Sequence, residues 1–399
     1  MAPPAAGQRR LLGRLDFMDW LAVALLVTGG IFVATGWLPP AKAGETLERI
    51  FPILVFLFFV VVLAELTAEA EVFDVIAARV TIAARGSNVL LFGLGLLFAA
   101  LTTMFLNLDT TAVLLTPVML ATAVRAGIAP LPLAMTTVWL ANTASLLLPV
   151  SNLTNLLAAD RVNLSPLAFA AKMALPQIAA LIVVAACLWI FYWRRNPARY
   201  TPPSPHVAAN RPLFLAASAA CAVFIVGLLL DLPLAVMTPI CAIALVAVFA
   251  KWGREHLRWG LLPWRLIVFV TGLFLVVDAI SLHGLDALMG SLIGVDPGAE
   301  GTWRAALTGG ALSNVVNNLP AYVAGETVIP EANSEQNLGL LIGTNVGPLI
   351  TPWASLATLI WAEHCRNRGV KIAWGRFMLT GAITAVAVLA ASVGVLILL

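Results

Sequence analysis

Of the chain's 399 residues, 61% are hydrophobic and only 11% charged, with a mean hydropathy of +0.97, whereas a soluble globular protein is about one quarter charged. That composition excludes a soluble enzyme or a nucleic-acid-binding module, and the net charge of +3 is too small to argue otherwise. Apolar runs long enough to cross a bilayer recur from Trp20 to the last residue, so the chain reads as an all-α polytopic membrane protein.

In chain order, simple spans are expected at about 19–37 and 51–67. The first is followed by many more, so it reads as a span and not as a cleaved signal peptide. Residues 71–85 are too polar to span, and their apolar positions recur at helical spacing, as in an amphipathic helix on the cytoplasmic surface. A segment at about 88–125 has a polar centre between apolar arms, and about 131–159 carries polar residues and Pro149 at mid-depth. A span at 166–193 leads into a polar, Pro-rich linker, 194–211, near the midpoint. Spans at 212–230, 233–250 and 262–282 follow, then a second polar-centred segment at 303–330, a second interrupted one at 337–362, and a last span at 374–398.

If both polar-centred segments turn back inside the membrane, the loops sort by charge. One side holds Arg9, Arg10, Arg14, Arg79, Arg85, Arg125, Arg194, Arg195, Arg199, Arg211, Lys251, Arg254, Arg258, Arg265, Arg366, Arg368, Lys371 and Arg376. The other holds Lys42, Arg49, Arg161 and Arg304 together with most loop acids, Glu326 among them; Lys172 lies within a span and is not counted. This asymmetry places the N-terminus in the cytoplasm and the C-terminus outside, in a plasma membrane. Two full crossings in place of each hairpin would sort the loops identically. Hairpins are favoured because the alternative puts Asn107 and Asp109 in a tight external turn without Gly or Pro. Cys187, Cys221, Cys241 and Cys365 show no metal-ligand spacing, and the four histidines are unclustered, so neither a metal site nor a cofactor is expected.

A carboxyl at mid-bilayer costs at least a few kcal/mol and is rarely kept without a role. The stretch LNLDTTAVLLTP, 106–117, sets Asn107 and Asp109 there. An internal repeat supplies the context. ANTASLLLPVSNLTNLL, 141–157, lies over TNVGPLITPWASLATLI, 344–360, without gaps, so that Asn142 falls on Asn345, Pro149 on Pro352, Asn152 on Ser355 and Asn155 on Thr358. LNLDTTAVLLTP has a counterpart in LSNVVNNLP, 312–320, and VFLFFVVVLAE, 55–65, lies over VFVTGLFLVVD, 268–278, pairing Glu65 with Asp278. By the charge-derived topology the units are inverted: 1–205 forms the first repeat, and 206–399 a connecting span plus the second. Inverted repeats, each with a re-entrant hairpin and a broken transmembrane helix, mark a secondary transporter. Irregular backbone at membrane depth is tolerated only where protein buries it or a cavity hydrates it, and the exposed helix ends suit ions and polar solutes. The candidate site therefore combines Asn107, Thr110, Thr111, Asn142, Ser145, Ser151, Asn152, Thr154 and Asn155 from the first half. The second half contributes Ser313, Asn314, Asn317, Asn318, Thr344, Asn345, Thr351, Ser355 and Thr358. Asp109 leads as proton carrier, with Glu65 and Asp278 behind it. For any single Asn, Ser or Thr, helix–helix hydrogen bonding is the plainer use.

At these residues the chain resembles the membrane permeases of arsenical efflux pumps in the ion-transporter superfamily. GPLITPWASLATLIW, 347–361, is close to that family's glycine-proline, threonine-proline and SLATL signature, and NTASLLLPVSNLTNLLAAD, 142–160, resembles its corresponding first-half segment. LSNVVNNLPAYVAG, 312–325, resembles its double-asparagine-proline hairpin, and IAWGRFMLTG, 372–381, its final-helix entry. The first hairpin departs from the family's asparagine-aspartate-glycine run, and Asn142 and Asn345 stand where the family often has acids. The resemblance implies export of arsenite, with antimonite, by proton antiport and alternating access. It also implies a homodimer with a moving transport domain and a fixed scaffold, sometimes docked to a separate soluble ATPase. A site rich in amides and hydroxyls suits a small neutral trihydroxide. The main alternative is a sodium/proton or sodium-coupled anion transporter on the same fold. An intramembrane enzyme is disfavoured, since the chain has no HExxH, GxSxG or clustered Cys/His pattern, and a passive channel is equally disfavoured.

Overall fold

The structure, a computed structural model, describes residues 17–399. Arg9, Arg10 and Arg14 of the basic cytoplasmic set lie outside the described residues. Apart from one isolated bridge between Ser87 and Arg199, every regular element among the described residues is helical. The first repeat runs α1 (Phe17–Ala34), α2 (Pro40–Glu69), α3 (Val72–Ala83), α4 (Asn88–Leu106), α5 (Leu108–Arg125), α6 (Pro130–Thr143), α7 (Leu153–Arg161) and α8 (Pro166–Trp193). After α9 (Arg211–Leu229) come α10 (Leu234–Trp252), α11 (Trp264–Ile280), α12 (Asp286–Ile293), α13 (Ala299–Val316), α14 (Asn318–Glu326), α15 (Ser334–Val346), α16 (Leu356–Asn367) and α17 (Trp374–Ile397).

Sequence explains most of these boundaries. Pro40, Pro130 and Pro166 open their helices at the first position, where a missing N–H costs nothing. The Oγ of Ser87 and Ser165 and the Oδ1 of Asn210 accept from backbone N–H groups in the first turns of α4, α8 and α9. With 30 residues, α2 is roughly 45 Å long and spans the whole bilayer with excess. It is longer than the 51–67 expected, because the polar stretch 40–50, which lends Lys42, Glu45, Thr46 and Arg49 to the wall of a second cavity, is helical as well.

The two halves repeat element by element. α1 packs on α11 and α10 packs on α2, so the first helix of each repeat lies on the second helix of the other. The α1–α11 crossing is close: a Cβ on Gly272 would stand 2.3 Å from the Leu26 backbone N. α3 packs on both arms of the hairpin formed by α4 and α5, and α12 packs on both α13 and α14. Each hairpin therefore starts and ends at the same end of the bundle. α3 matches the amphipathic helix expected at 71–85, burying Val72, Phe73, Val75, Ala77, Ala78 and Thr81. α12 was not expected. It follows a kink at Gly284, where φ is +119°, a conformation that glycine adopts readily.

Candidate functional site

Each hairpin turns at a single asparagine. Asn107 has φ +122° and ψ 169°, and Asn317 has φ +92° and ψ 156°, a region populated almost only by glycine. Asparagine is used because its side chain caps the helix that begins there. Asn107 Oδ1 accepts from Thr110 N at 2.8 Å, and Asn317 Oδ1 accepts from Leu319 N at 3.5 Å, backed by Asn318 Oδ1 at 2.9 Å. Thr111 ties the first tip together, donating from Oγ1 to Asn107 O at 3.0 Å and meeting Thr103 Oγ1 at 2.9 Å. This register sets Asn317 opposite Asn107, and hence Leu319 opposite Asp109. The second tip has no acid.

The breaks are built equally alike. Leu148 and Thr351 are extended because proline follows each of them. Asn152 (φ −157°, ψ 147°) and Ser355 (φ −141°, ψ 138°) then start α7 and α16. The freed backbone groups find side chains, as buried groups must. In the first half Gln177 of α8 donates to Thr143 O at 3.0 Å and accepts from Leu146 N at 2.9 Å, while Ser151 Oγ donates to Met104 O. In the second, Asn314 donates to Gly347 O at 3.0 Å, and its Oδ1 accepts from Thr351 N at 3.1 Å and Thr351 Oγ1 at 2.7 Å. Ser313 Oγ reaches Thr344 O. The sequence offered no sign of Gln177, a lone amide in an otherwise ordinary span.

Between the halves runs a buried amide network. Asn345 Nδ2 donates to Asn155 Oδ1 at 2.7 Å and to Ser145 Oγ at 3.4 Å, and its Oδ1 accepts from Asn152 Nδ2 at 2.9 Å and Thr154 Oγ1 at 2.8 Å. Its repeat partner Asn142 makes the mirror contact, donating to Thr358 Oγ1 at 3.3 Å. There the symmetry stops, because Asn142 Oδ1 and Ser355 Oγ are buried without a hydrogen-bond partner among the described residues.

One small cavity, about 50 Å³, touches both tips and both breaks. Its polar lining is Asn107, Asp109, Asn152, Asn317, Asn318 and Ser355, and its apolar walls include Phe56, Leu57, Leu156, Leu266, Phe269 and Leu319. The structure thus brings together six of the residues singled out from sequence. Asp109 makes no hydrogen bond or ion pair among the described residues and is the one titratable group in the lining. Thr110, Thr111, Asn142, Ser151, Asn155, Asn314, Asn345, Thr351 and Thr358 stand behind this wall and hold its shape. Glu65 lies more than two turns beyond Phe56 on α2, and Asp278 lies on an outer cavity, hydrogen-bonded to Thr46.

Two hairpins entering from opposite ends of the bundle, two broken helices and a shared central cavity are the architecture of a multi-pass membrane transporter. Residues 18–338 match the family CitMHS, described as "Citrate transporter". The chain is 32% identical over 359 residues to the "Arsenical pump membrane protein" of Escherichia coli (strain K12), covering 83% of this chain and 82% of that one. It is 32% identical over 358 residues to the protein of the same name from Yersinia enterocolitica, with the same coverage. The crystal structure of the Alcanivorax borkumensis YdaH transporter, reported to have an unusual topology, has the same fold, with a TM-score of 0.52 at 14% identity over 96% of this chain and 97% of that one. The chain belongs to the arsenical pump membrane protein family, within the ion-transporter superfamily, as its sequence motifs imply.

Proposed function

We propose that this protein exports arsenite, and antimonite with it, from the cytoplasm by alternating access in exchange for protons. The observation that carries the reading is the chemistry of the central cavity: amides, a hydroxyl and a single carboxyl, with no Lys, Arg or His in the lining. A multiply charged anion such as citrate would meet Asp109 and no cation, and an unpaired charge in a buried site is strongly disfavoured. A neutral trihydroxide matches the donors and acceptors of Asn107, Asn152, Asn318 and Ser355 without leaving a charge unpaired. The names of the relatives in Escherichia coli and Yersinia enterocolitica support the same substrate.

Export of a neutral solute against its gradient needs a coupled ion. Asp109 is the group in the cavity that can carry a proton through it, and it has no competing partner to break. Glu65 and Asp278, on stretches of α2 and α11 flanking the cavity, are second in line as proton groups. The same proposal includes a homodimer in the plasma membrane with a cytoplasmic N-terminus, and a separate ATPase as an optional partner. The exposed apolar residues Leu215 and Val223 on α9, and Val236 and Ile240 on α10, suit lipid or a second copy.

Everted vesicles test the reading. Arsenite uptake is followed with and without an imposed pH gradient, in the parent and in Asp109→Asn. Gradient-driven uptake in the parent that is lost in the variant is the expected result. Uptake unchanged in the variant moves the carrier to Glu65 or Asp278. Uptake driven by a sodium gradient instead supports the sodium-coupled alternative, and no arsenite uptake under either gradient sinks the substrate.

A further inference from the structure

A second cavity, about 720 Å³, opens at the end of the bundle where α2 begins and α7 and α14 finish. It is separate from the central cavity but lies along the same three helices. α2 lends Phe56 and Leu57 to the inner space and Thr46 and Arg49 to the outer one; α7 lends Leu156 and then Asp160; α11 lends Phe269 and then Phe274 and Asp278. Along these helices the two spaces are separated by roughly 6–10 Å. The outer cavity is an antechamber to the site.

One contact bridges the antechamber. Arg49 Nη2 donates to Glu326 Oε1 at 2.9 Å, and Arg49 Nε lies 3.7 Å from Asp160 Oδ2. Arg49 thereby ties α2 to the end of the second hairpin and to the end of the first broken helix. The Glu326 side chain is only 2% exposed, and its other oxygen, Oε2, is buried with no hydrogen-bond partner among the described residues. A buried carboxylate oxygen left without a donor is costly, and this one belongs to a residue that lines a water-accessible cavity. From sequence alone Glu326 is merely one of the outer loop acids.

The charged surroundings of Glu326 favour a switch. Arg49 faces it from α2, and Asp160 and Arg161 face it from α7. Tyr322 stands one turn back on α14. Arg161 is already committed to Glu331 and to Ile329 O, each at 3.0 Å. On the far wall Asp286 of α12 accepts from Thr327, and Asp278 of α11 accepts from Thr46. Asp160, 58% exposed, is thus an alternative partner for Arg49 when Glu326 loses its charge.

We propose that Arg49 and Glu326 form an outer latch, released when a proton from the antechamber binds Glu326 Oε2. The proton neutralises the carboxylate, Arg49 passes to Asp160, and the second hairpin is freed from α2 so that the antechamber deepens toward Asp109. The latch gives the proton of the proposed antiport a first stop before the central carboxyl, and it rests on that reading for its physiological purpose and for the side of the membrane the antechamber faces.

The test reads conformation, not transport. Leu156→Cys places a thiol in the wall of the central cavity, and a membrane-impermeant maleimide is applied to intact cells at neutral and acidic external pH. The parent carrying only Cys187, Cys221, Cys241 and Cys365 serves as background, since none of these lines either cavity. Acid is expected to speed labelling of the single thiol on the order of tenfold. Adding Glu326→Gln is expected to give the fast rate at neutral pH and to abolish the acid effect, and Arg49→Gln to give the fast rate as well. Labelling independent of pH without either further substitution overturns the latch, as does an acid effect that survives Glu326→Gln in a folded protein. Because labelling needs neither arsenite nor a gradient, the two proposals fail separately. Latch-like labelling in a chain that moves no arsenite overturns the substrate alone, whereas arsenite export with pH-independent labelling overturns the latch alone.

Discussion

Asn345 donates to Asn155 at 2.7 Å across the seam between the two halves. Together with Asn152, Thr154 and Ser145 it fills its hydrogen-bonding capacity wholly from the opposite repeat. Its repeat partner Asn142 makes one such crossing, to Thr358. Replacing Asn345 by Ala orphans several buried groups, each worth about 1–3 kcal/mol, while Asn142→Ala orphans fewer. Asn345→Ala is therefore expected to lower stability by about 3 kcal/mol and Asn142→Ala by about 1 kcal/mol, read from thermal unfolding in detergent. Equal losses would show that the seam does not depend on Asn345.

Much of this arrangement is legible in the residues themselves. Apolar runs delimit the spans, and Pro149 and Pro352 mark the breaks because proline forces the residue before it out of helical geometry. Asn107 and Asn317 stand out as amides amid leucine and valine. What stays hidden depends on direction and not on residue type. Nothing local says that Asn345 points across the seam while Asn318 points into the cavity. Gln177 satisfies the first break from a distant span, and Glu326 looks like any loop acid until Arg49 is seen beside it. The short α12, Asp286–Ile293, is masked by Gly284 and by its brevity.

The tip asparagines carry strain as well as caps. At Asn107 a side chain is held at φ +122° and ψ 169°, where non-glycine residues cost about 1–3 kcal/mol. Asn107→Gly also loses the cap and leaves Thr110 N–H without its acceptor, a loss of about 1–2 kcal/mol, but it relieves a strain of similar size, so its unfolding temperature is expected to stay near the parent's. Asn107→Ala keeps the strain, loses the cap and leaves Thr110 N–H buried without its acceptor, and is expected to be destabilised by about 2 kcal/mol. Calorimetry that ranked Ala at or above Gly would contradict the strained-tip account.

Helices α13 and α15 meet through glycine. A Cβ on Gly343 would stand 2.0 Å from Ala306 O, and one on Gly347 would stand 2.5 Å from Gly310 O, both immovable backbone. Gly343→Ala must push the helices apart, and a loss of about 3 kcal/mol or more is expected. Gly394, inside α17, has nothing within 4 Å of the same position. Gly394→Ala should leave the protein as stable or raise its stability by about 0.5 kcal/mol through helix propensity. Size-exclusion profiles and melting curves of the pair separate close helix packing from any general intolerance of substitution.

Ser355 separates stability from function. Ser355 lines the central cavity, and its Oγ is buried with no hydrogen-bond partner among the described residues. The first-half counterpart, Asn152, instead caps α7 through Thr154 N at 3.3 Å and bonds Asn345. A buried hydroxyl without a partner costs about 1–3 kcal/mol, a cost offset only when a ligand supplies the missing bond. Ser355→Ala removes the hydroxyl and leaves the packing, so the variant is expected to melt higher than the parent while its KM for arsenite rises several-fold with Vmax little changed. A purely structural serine predicts lower stability and an unchanged KM. Measuring both quantities on one preparation decides between the two, because the site hypothesis alone moves them in opposite senses.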